Sequence, residues 1–251
     1  MINHIYKLLA VILVITGITT ACKGGGDDVA LDTQALQSVT GVFVDDMPIA
    51  RAVITVTDAT GTTRQVTTDD NGLYYVEVND LKLPLLVVGT YTTAGVEHMQ
   101  YSLVSTDKST ADTVTANINE YTTLLVSAMM QEAGVALDTA PEALDDTTRN
   151  LILGIDYLPI IASMDTLFCS ALLNLDGTPQ GCEWVSGENI LTTSYVPTVD
   201  GTSVDELVAL MDVTVNTTTG DVTIADSTDV PVGIITLDEI IMDTIPTDTL
   251  T

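Results

Sequence analysis

Positive charge is what this chain has least of. Seven Lys and Arg stand against 35 Asp and Glu, a formal net charge of −28 at pH 7 over 251 residues. Such a surface repels nucleic-acid phosphates and anionic lipid headgroups, so both are excluded as partners. Histidine is nearly absent, with two copies, His4 and His98. A histidine-based triad or a multi-histidine metal site therefore has almost no material. Aromatic residues make up 4% and tryptophan occurs once, which argues against a sugar cleft built on stacking. The phosphate-cradling spacing G-x-x-x-x-G-K-[ST] is missing, and so is the G-x-S-x-G nucleophile turn. Ser105-Thr-Asp-Lys108 matches the S-x-x-K spacing of an acyl-enzyme nucleophile, but the companion motifs S-D-N and K-T-G are absent. Paired carboxylates are plentiful, and in so acidic a chain most are solvated faces. The expectation is a protein that is not an enzyme.

Long apolar runs are scarce as well, and the one at the N-terminus is informative. Residues 8–18, LLAVILVITGI, follow a single cation, Lys7. Eleven residues fall short of the roughly 20 that span a bilayer as a helix. The run fits the apolar region of a secretory signal. It stops at Thr19-Thr20-Ala21-Cys22. This tetrapeptide resembles the lipobox of bacterial lipoproteins, although that family prefers Leu where this chain has Thr19. The resemblance implies a signal peptide at 1–21 and a palmitate-type acyl anchor on Cys22. It implies in turn a membrane-anchored protein of the cell envelope. An ordinary signal peptide, or a buried N-terminal helix, is the alternative. Gly24, Gly25 and Gly26, then Asp27 and Asp28, supply a flexible, solvated tether over residues 22–37. Lys23 follows the cysteine, and in Gram-negative lipoproteins Asp there favours inner-membrane retention. The expected location is the outer membrane, with the side it faces left open.

Residues 38–105 read as strands and turns. Val53–Thr57 alternates as a strand, Asp58–Gly61 is a turn, and Arg64–Thr68 is the next strand. Asp69-Asp70-Asn71-Gly72 reads as a hairpin turn, because Asn-Gly suits positive φ. Leu73–Val78 and Leu85–Val88 continue the series. Gly41, Ala52, Val53, Val56, Gly61, Thr68, Asp69, Asn71, Gly72 and Tyr74 together resemble the carboxypeptidase regulatory-like domain. That resemblance covers about a quarter of the chain. It implies a small all-β, transthyretin-like sandwich that serves as a non-catalytic accessory module.

Residues 106–251 read as a second, helix-rich α+β region, which makes the chain multidomain. Asn117 is placed as the cap of a first helix, with Tyr121, Leu124, Leu125, Ala128 and Met129 on one face. Thr139–Glu142 is placed as a second capping box, opening a stripe from Leu144 to Pro159. A third helix runs from Ile160 and carries Cys169, and Ser203–Glu206 opens a short fourth. Asp212–Asn216 and Asp221–Ala225 make a hairpin around Thr217–Gly220. The tail from Gly233 reads equally as a strand or as a helix capped by Thr236 and Glu239.

Three cysteines occur in all. With Cys22 given to lipid, Cys169 and Cys182 remain as an even pair in an oxidising compartment. A bridge between them would close a short loop and contribute about 3 kcal/mol. Free thiols or a metal pair are the alternatives.

Calcium is the ligand that the acidic turns suggest, with Asp69, Asp70 and Asn71 as clustered oxygens and Asp45 and Asp46 as further donors. Plain turn chemistry accounts for the same residues. No other cofactor is implied. The function expected is a binding or accessory lipoprotein that contacts an envelope protein or an extracellular ligand. The alternative is a self-assembling structural or adhesive surface subunit, dependent on calcium, whose C-terminal strand adds to a neighbour's sheet.

Overall fold

The alternation in residues 53–57 does what the pleat demands. In the computed structural model, Val53–Asp58 (β4) turns Ile54 and Val56 inward and Thr55 and Thr57 outward. The structure describes residues 36–45, 47–105, 112–139, 143–176, 191, 211–226 and 231–242. These are mostly β-sheet, with a few helices. Residues Thr33–Thr251 make one compact unit.

Two sheets pack face to face. One is ordered β6-β1-β9, from Leu73–Glu77, Ser38–Val42 and Thr113–Thr115. The other is ordered β5-β4-β7-β8, with Thr63–Thr67, Leu85–Thr93 and Val96–Val104 joining β4. Val39, Phe43, Ile54, Val56, Tyr74, Val76 and Val87 fill the space between them. Val44–Asp45 (β2) and Met47–Pro48 (β3) form a minimal ladder beside the first sheet.

The turn after β4 is a true hairpin, with Thr57 opposite Thr63. The Asn71-Gly72 turn is not the hairpin that its sequence suggests. β5 pairs only with β4, whereas β6 pairs with β1, so the chain crosses from one sheet to the other there. Asp69 Oδ1 accepts from the Asn71 and Leu73 amides and closes the corner. Gly72 sits at φ +73°, and a Cβ on it would lie 2.6 Å from the Phe43 carbonyl oxygen. Glycine is thus required by the corner, not by a two-residue hairpin. The hairpin that does exist further on joins β7 to β8 through Ala94 and Gly95, both at positive φ.

The first helix, Glu120–Glu132 (α1), is capped by Asn119, not by Asn117. Asn119 Oδ1 accepts from the Thr122 amide, and Thr122 Oγ1 accepts from the Asn119 amide. Asn117 is spent elsewhere: its Oδ1 takes the Val42 amide and its own N–H goes to the Leu191 carbonyl. The second helix, Asp146–Leu153 (α2), is capped by Asp145, six residues after the Thr139 that sequence favoured. It ends at Gly154 instead of running to Pro159. The third, Tyr157–Asp176 (α3), carries Pro159 in its first turn, where a missing N–H costs nothing. The helix expected at 203–210 lies outside the described residues, as do residues 1–35.

α1 also seals a sheet edge. The Tyr101 amide of β8 donates to Thr123 Oγ1, and Thr122 Oγ1 donates to the Tyr101 carbonyl. Two helix hydroxyls thereby occupy edge groups that would otherwise recruit another strand. Behind them lies a second core, in which Leu86, Val88, Tyr101 and Leu103 on the outer face of the four-stranded sheet meet Leu125, Met129, Ile152 and Ile160.

The expected hairpin at 212–225 is present as Met211–Val215 (β10) and Asp221–Asp226 (β11), and it gains a third strand, Pro231–Thr236 (β12). The ambiguous tail is therefore both things in turn. It is a strand to Thr236 and then a short helix, Leu237–Met242 (α4), opened by reciprocal bonds between Thr236 and Glu239. β12 pairs with β11 of its own chain.

Candidate functional site

Alternate residues of the four-stranded sheet point away from the inter-sheet core and form a grid on its outer face. Thr63, Thr57 and Leu86 lie in one row, Gln65, Thr55 and Val88 in the next, and Thr67, Val53 and Thr90 in a third. The helices cover the β7–β8 half of this grid, where the residues are Leu86, Val88, Tyr101 and Leu103. The β4–β5 half stays open. With Val88 and Thr90 of β7 and Met99 of β8 it forms a groove of about 450 Å³, in which threonines and Gln65 alternate with the apolar Val53, Val88 and Met99. Gln65 Nε2 donates to Thr55 Oγ1 at 3.0 Å, and Thr90 Oγ1 donates to the Val53 carbonyl at 3.3 Å, so both side chains are held in place.

One end of the groove is Arg149, from α2. Its side chain is 7% exposed. Nη1 donates to Asp146 Oδ1 at 2.9 Å and Nη2 to the Leu144 carbonyl at 2.6 Å, while the Nε–H has no partner. Neither Arg149 nor the threonine grid stood out in the sequence as a site. The alternate threonines at 55, 57, 63 and 67 were visible, and so was a lone Arg inside a helical stripe, but 82 to 94 positions separate the two features.

The floor of the site is anchored by Asp58, at the end of β4 and almost fully buried. Oδ1 accepts from the Thr60 amide, the Thr60 hydroxyl and the Thr62 amide, and Oδ2 accepts from the Lys82 amide. Burial alone would raise this carboxyl, but the four hydrogen bonds outweigh it and hold the group below its ordinary value. Asp58 is thus a structural carboxylate that fixes the β4–β5 turn at the lip of the groove.

A second cleft, of about 470 Å³, lies between Pro84, Ser105 and the α2–α3 junction. Ser105 Oγ is 3.4 Å from the Tyr157 hydroxyl there. Lys108 of the S-x-x-K match lies outside the described residues.

Of the proposed calcium oxygens, Asp69 Oδ1 serves its own turn. Asp70 is strongly exposed and lies 4.0 Å from Arg51. Asp45 accepts from the Tyr91 hydroxyl, and Asp46 lies outside the described residues. Among the described residues no three His, Cys, Asp or Glu side chains are grouped to hold a metal. His98 stacks on Tyr91 with ring centroids 4.9 Å apart, and Tyr91 in turn meets the edge of Phe43. Cys22 and Cys182 lie outside the described residues, as does the side chain of Cys169 on α3, so the expected lipid site and disulfide fall there too.

Comparison of the chain with known protein families, with curated proteins and with solved structures finds no match in any of the three.

Proposed function

We propose that this chain is a lipid-anchored lipoprotein of the cell outer membrane that acts as a non-catalytic binding module, with the groove over β4 and β5 as its binding surface. The observation that carries the binding role is the open half of the four-stranded sheet. Helices cover Leu86, Tyr101 and Leu103 on that face, and the part left bare mixes threonines and Gln65, which donate and accept hydrogen bonds, with Val53, Val88 and Met99. The anchor rests on the T-T-A-C sequence ending at Cys22 and on the glycine tether behind it. The two facing sheets fit a transthyretin-like sandwich of the carboxypeptidase regulatory-like kind, in which an accessory role is ordinary. Among the described residues no single helix is long and apolar enough to cross a membrane, which is compatible with attachment by lipid. The self-assembling alternative drew on a C-terminal strand free for a neighbour; β12 pairs with β11 on one side and lies at the edge of its sheet.

Two measurements in intact cells test this. The chain should incorporate labelled palmitate and fractionate with the outer membrane, and Cys22→Ser should abolish both. A photo-crosslinking residue placed at Gln65 should give an adduct by intact mass spectrometry, and one at the exposed Tyr75 of the other sheet should not. Absence of label would retire the anchor. An adduct pattern equal at the two positions would retire the groove as binding surface.

A further inference from the structure

We propose that β5 takes a further strand from a partner, an extended polypeptide segment with cations at its two ends. This deepens the binding-module reading and rests on it, since Thr63 and Gln65 of β5 also wall the groove. β5 is the last strand of its sheet and pairs only with β4. The ladder between them fixes which backbone groups are used. The Thr68 amide donates to the Ala52 carbonyl, and the Asp58 amide donates to the Thr62 carbonyl. Bonded pairs alternate in an antiparallel ladder, so Ile54–Val66 and Val56–Arg64 are bonded as well. The N–H and C=O groups of Thr63, Gln65 and Thr67 therefore point out of the sheet edge. Among the described residues only the Thr63 carbonyl of that set has a partner, Arg64 Nη1 at 2.9 Å.

Two other edges are occupied by α1. Its Thr122 and Thr123 hydroxyls take the edge groups of Tyr101 on β8, and its Glu120 Oε2 accepts the Val213 amide of β10 at 2.5 Å. β5 carries few of the devices that keep an edge from pairing. It has no Pro, no Lys and no bulge in its register, and its one charge, Arg64, is ion-paired with Asp80. Thr63, Gln65 and Thr67 are all exposed. A regular edge with its donors and acceptors bare is the template for strand addition, in which main-chain bonds give affinity and alternate side chains give specificity.

Charge and burial define the segment. The chain carries −28, so an acidic segment, or a second copy of the chain, brings like charge to this edge. Screening at physiological salt limits such forces to about 8 Å, so the charges beside β5 decide. Asp70, past the Thr67 end, is 88% exposed, and Asp146, at the Gly61 end, is 62% exposed. A Cβ on Gly61 would lie 2.8 Å from Asp146 Oδ1, which places that carboxylate at the turn into β5. Each carboxylate has an arginine near it and still presents surface that an incoming Lys or Arg can meet. Between the ends, Val66 is only partly buried against the inter-sheet core, so an apolar side chain beside it extends that core. A hydroxylated, β-branched side chain beside Gln65 suits the other face. The segment is an alternating Val and Thr strand flanked by cations.

The test uses the purified full chain in detergent, labelled with ¹⁵N, and the synthetic peptide Lys-Lys-Thr-Val-Thr-Val-Thr-Lys-Lys. Hydrogen exchange at the Gln65 and Thr67 amides should be fast in the free chain and at least tenfold slower with saturating peptide. Affinity is read by fluorescence anisotropy of the labelled peptide. Gln65→Pro removes an outward N–H that no bond to β4 uses, and it should weaken binding about tenfold. Methylating the five central amides of the peptide removes its donors and leaves the protein untouched, and it should weaken binding tenfold or more. A peptide with Glu in place of Lys should bind at least tenfold less tightly. Unchanged exchange at Gln65 and Thr67, undiminished binding by Gln65→Pro or by the methylated peptide, or equal binding of the Glu peptide would each overturn the proposal. Slow exchange in the free chain that fades on dilution would make a second copy the occupant and overturn it too. Protection by the peptide without a Gln65 adduct in cells would retire the envelope role alone. A Gln65 adduct whose mass is not that of a polypeptide would retire strand addition alone.

Discussion

Replacing Asp58 by Asn tests how much of the β4–β5 lip one buried carboxylate holds. Asn is nearly isosteric, so packing is preserved and the change is electrostatic. The amide oxygen can take over at Oδ1, where the donors are the Thr60 amide at 2.7 Å, the Thr60 hydroxyl at 2.8 Å and the Thr62 amide at 2.8 Å. The new NH₂ group then faces the Lys82 amide, which now lies 3.0 Å from Oδ2. Two donors meet there, and one charge-assisted bond is lost outright. A hydrogen bond to a charged group contributes about 1.5–3 kcal/mol, and the three remaining bonds weaken with the charge, so the expected loss is about 3 kcal/mol. Urea unfolding followed by circular dichroism reads it. With a slope of about 3 kcal/mol per molar for a chain of this size, the midpoint should fall by about 1 M.

The pH dependence provides an internal check. The folded-state pKa of Asp58 lies below the ordinary 3.8, and unfolding returns the group to that value. Between the two values the unfolded chain holds the extra proton, so stability rises with pH across that window. The contribution is complete well above pH 3.8 and drains away as pH falls through 3.8 toward the folded value. The gap between wild type and Asp58→Asn should therefore narrow on acidification in that window. A midpoint shift under about 0.2 M at neutral pH, or a gap that widens in acid, would refute the account of Asp58 as a hydrogen-bonded anion.

Two further changes probe the frame. Ala94 is held at φ 52° in the β7–β8 turn, a region that costs Ala about 1 kcal/mol and that Asn tolerates. Ala94→Asn should raise the melting temperature by about 2 °C in calorimetry, and a fall would contradict the turn geometry. Gly89→Ala places a Cβ 2.6 Å and 2.8 Å from two ring carbons of Phe43, a ring with no exposed surface. Overpacking of this kind costs about 1–3 kcal/mol, so the melting temperature should drop by about 4–8 °C. An unchanged melt would mean that Phe43 is free to move.

Much of the local structure was legible in order along the chain. The residue types of 53–57 and 64–68 specified strands, which the structure places at 53–58 and 63–67, and the apolar stripe of α1 specified a helix. Thr217–Gly220 specified the β10–β11 turn. These depend on periods of 2 and 3.6 residues, which a sequence carries by itself. The same composition argued against histidine chemistry, nucleic acid and anionic lipid surfaces before any fold was known. What misled was turn grammar that only tertiary pairing interprets. Asn71-Gly72 has the stronger hairpin signature yet turns a corner between sheets, because β6 finds β1 instead of β5. Ala94-Gly95 has the weaker signature yet makes a real hairpin, paid for by nine residue pairs between β7 and β8. The sequence pattern places the cap at Asn117, whereas the helix uses Asn119, which carries the same side chain two residues on. The neighbouring Val42 amide, 75 positions away, claims one and leaves the other for the helix.

The site was decided the same way. The sequence supplied outward-facing threonines on β4 and β5 and one arginine on α2. Only the packing of α1 and α2 over half of the sheet face left the other half open and brought Arg149 to its end. Burial in that packed layer, a long-range property no local period encodes, is what left its Nε–H without an acceptor.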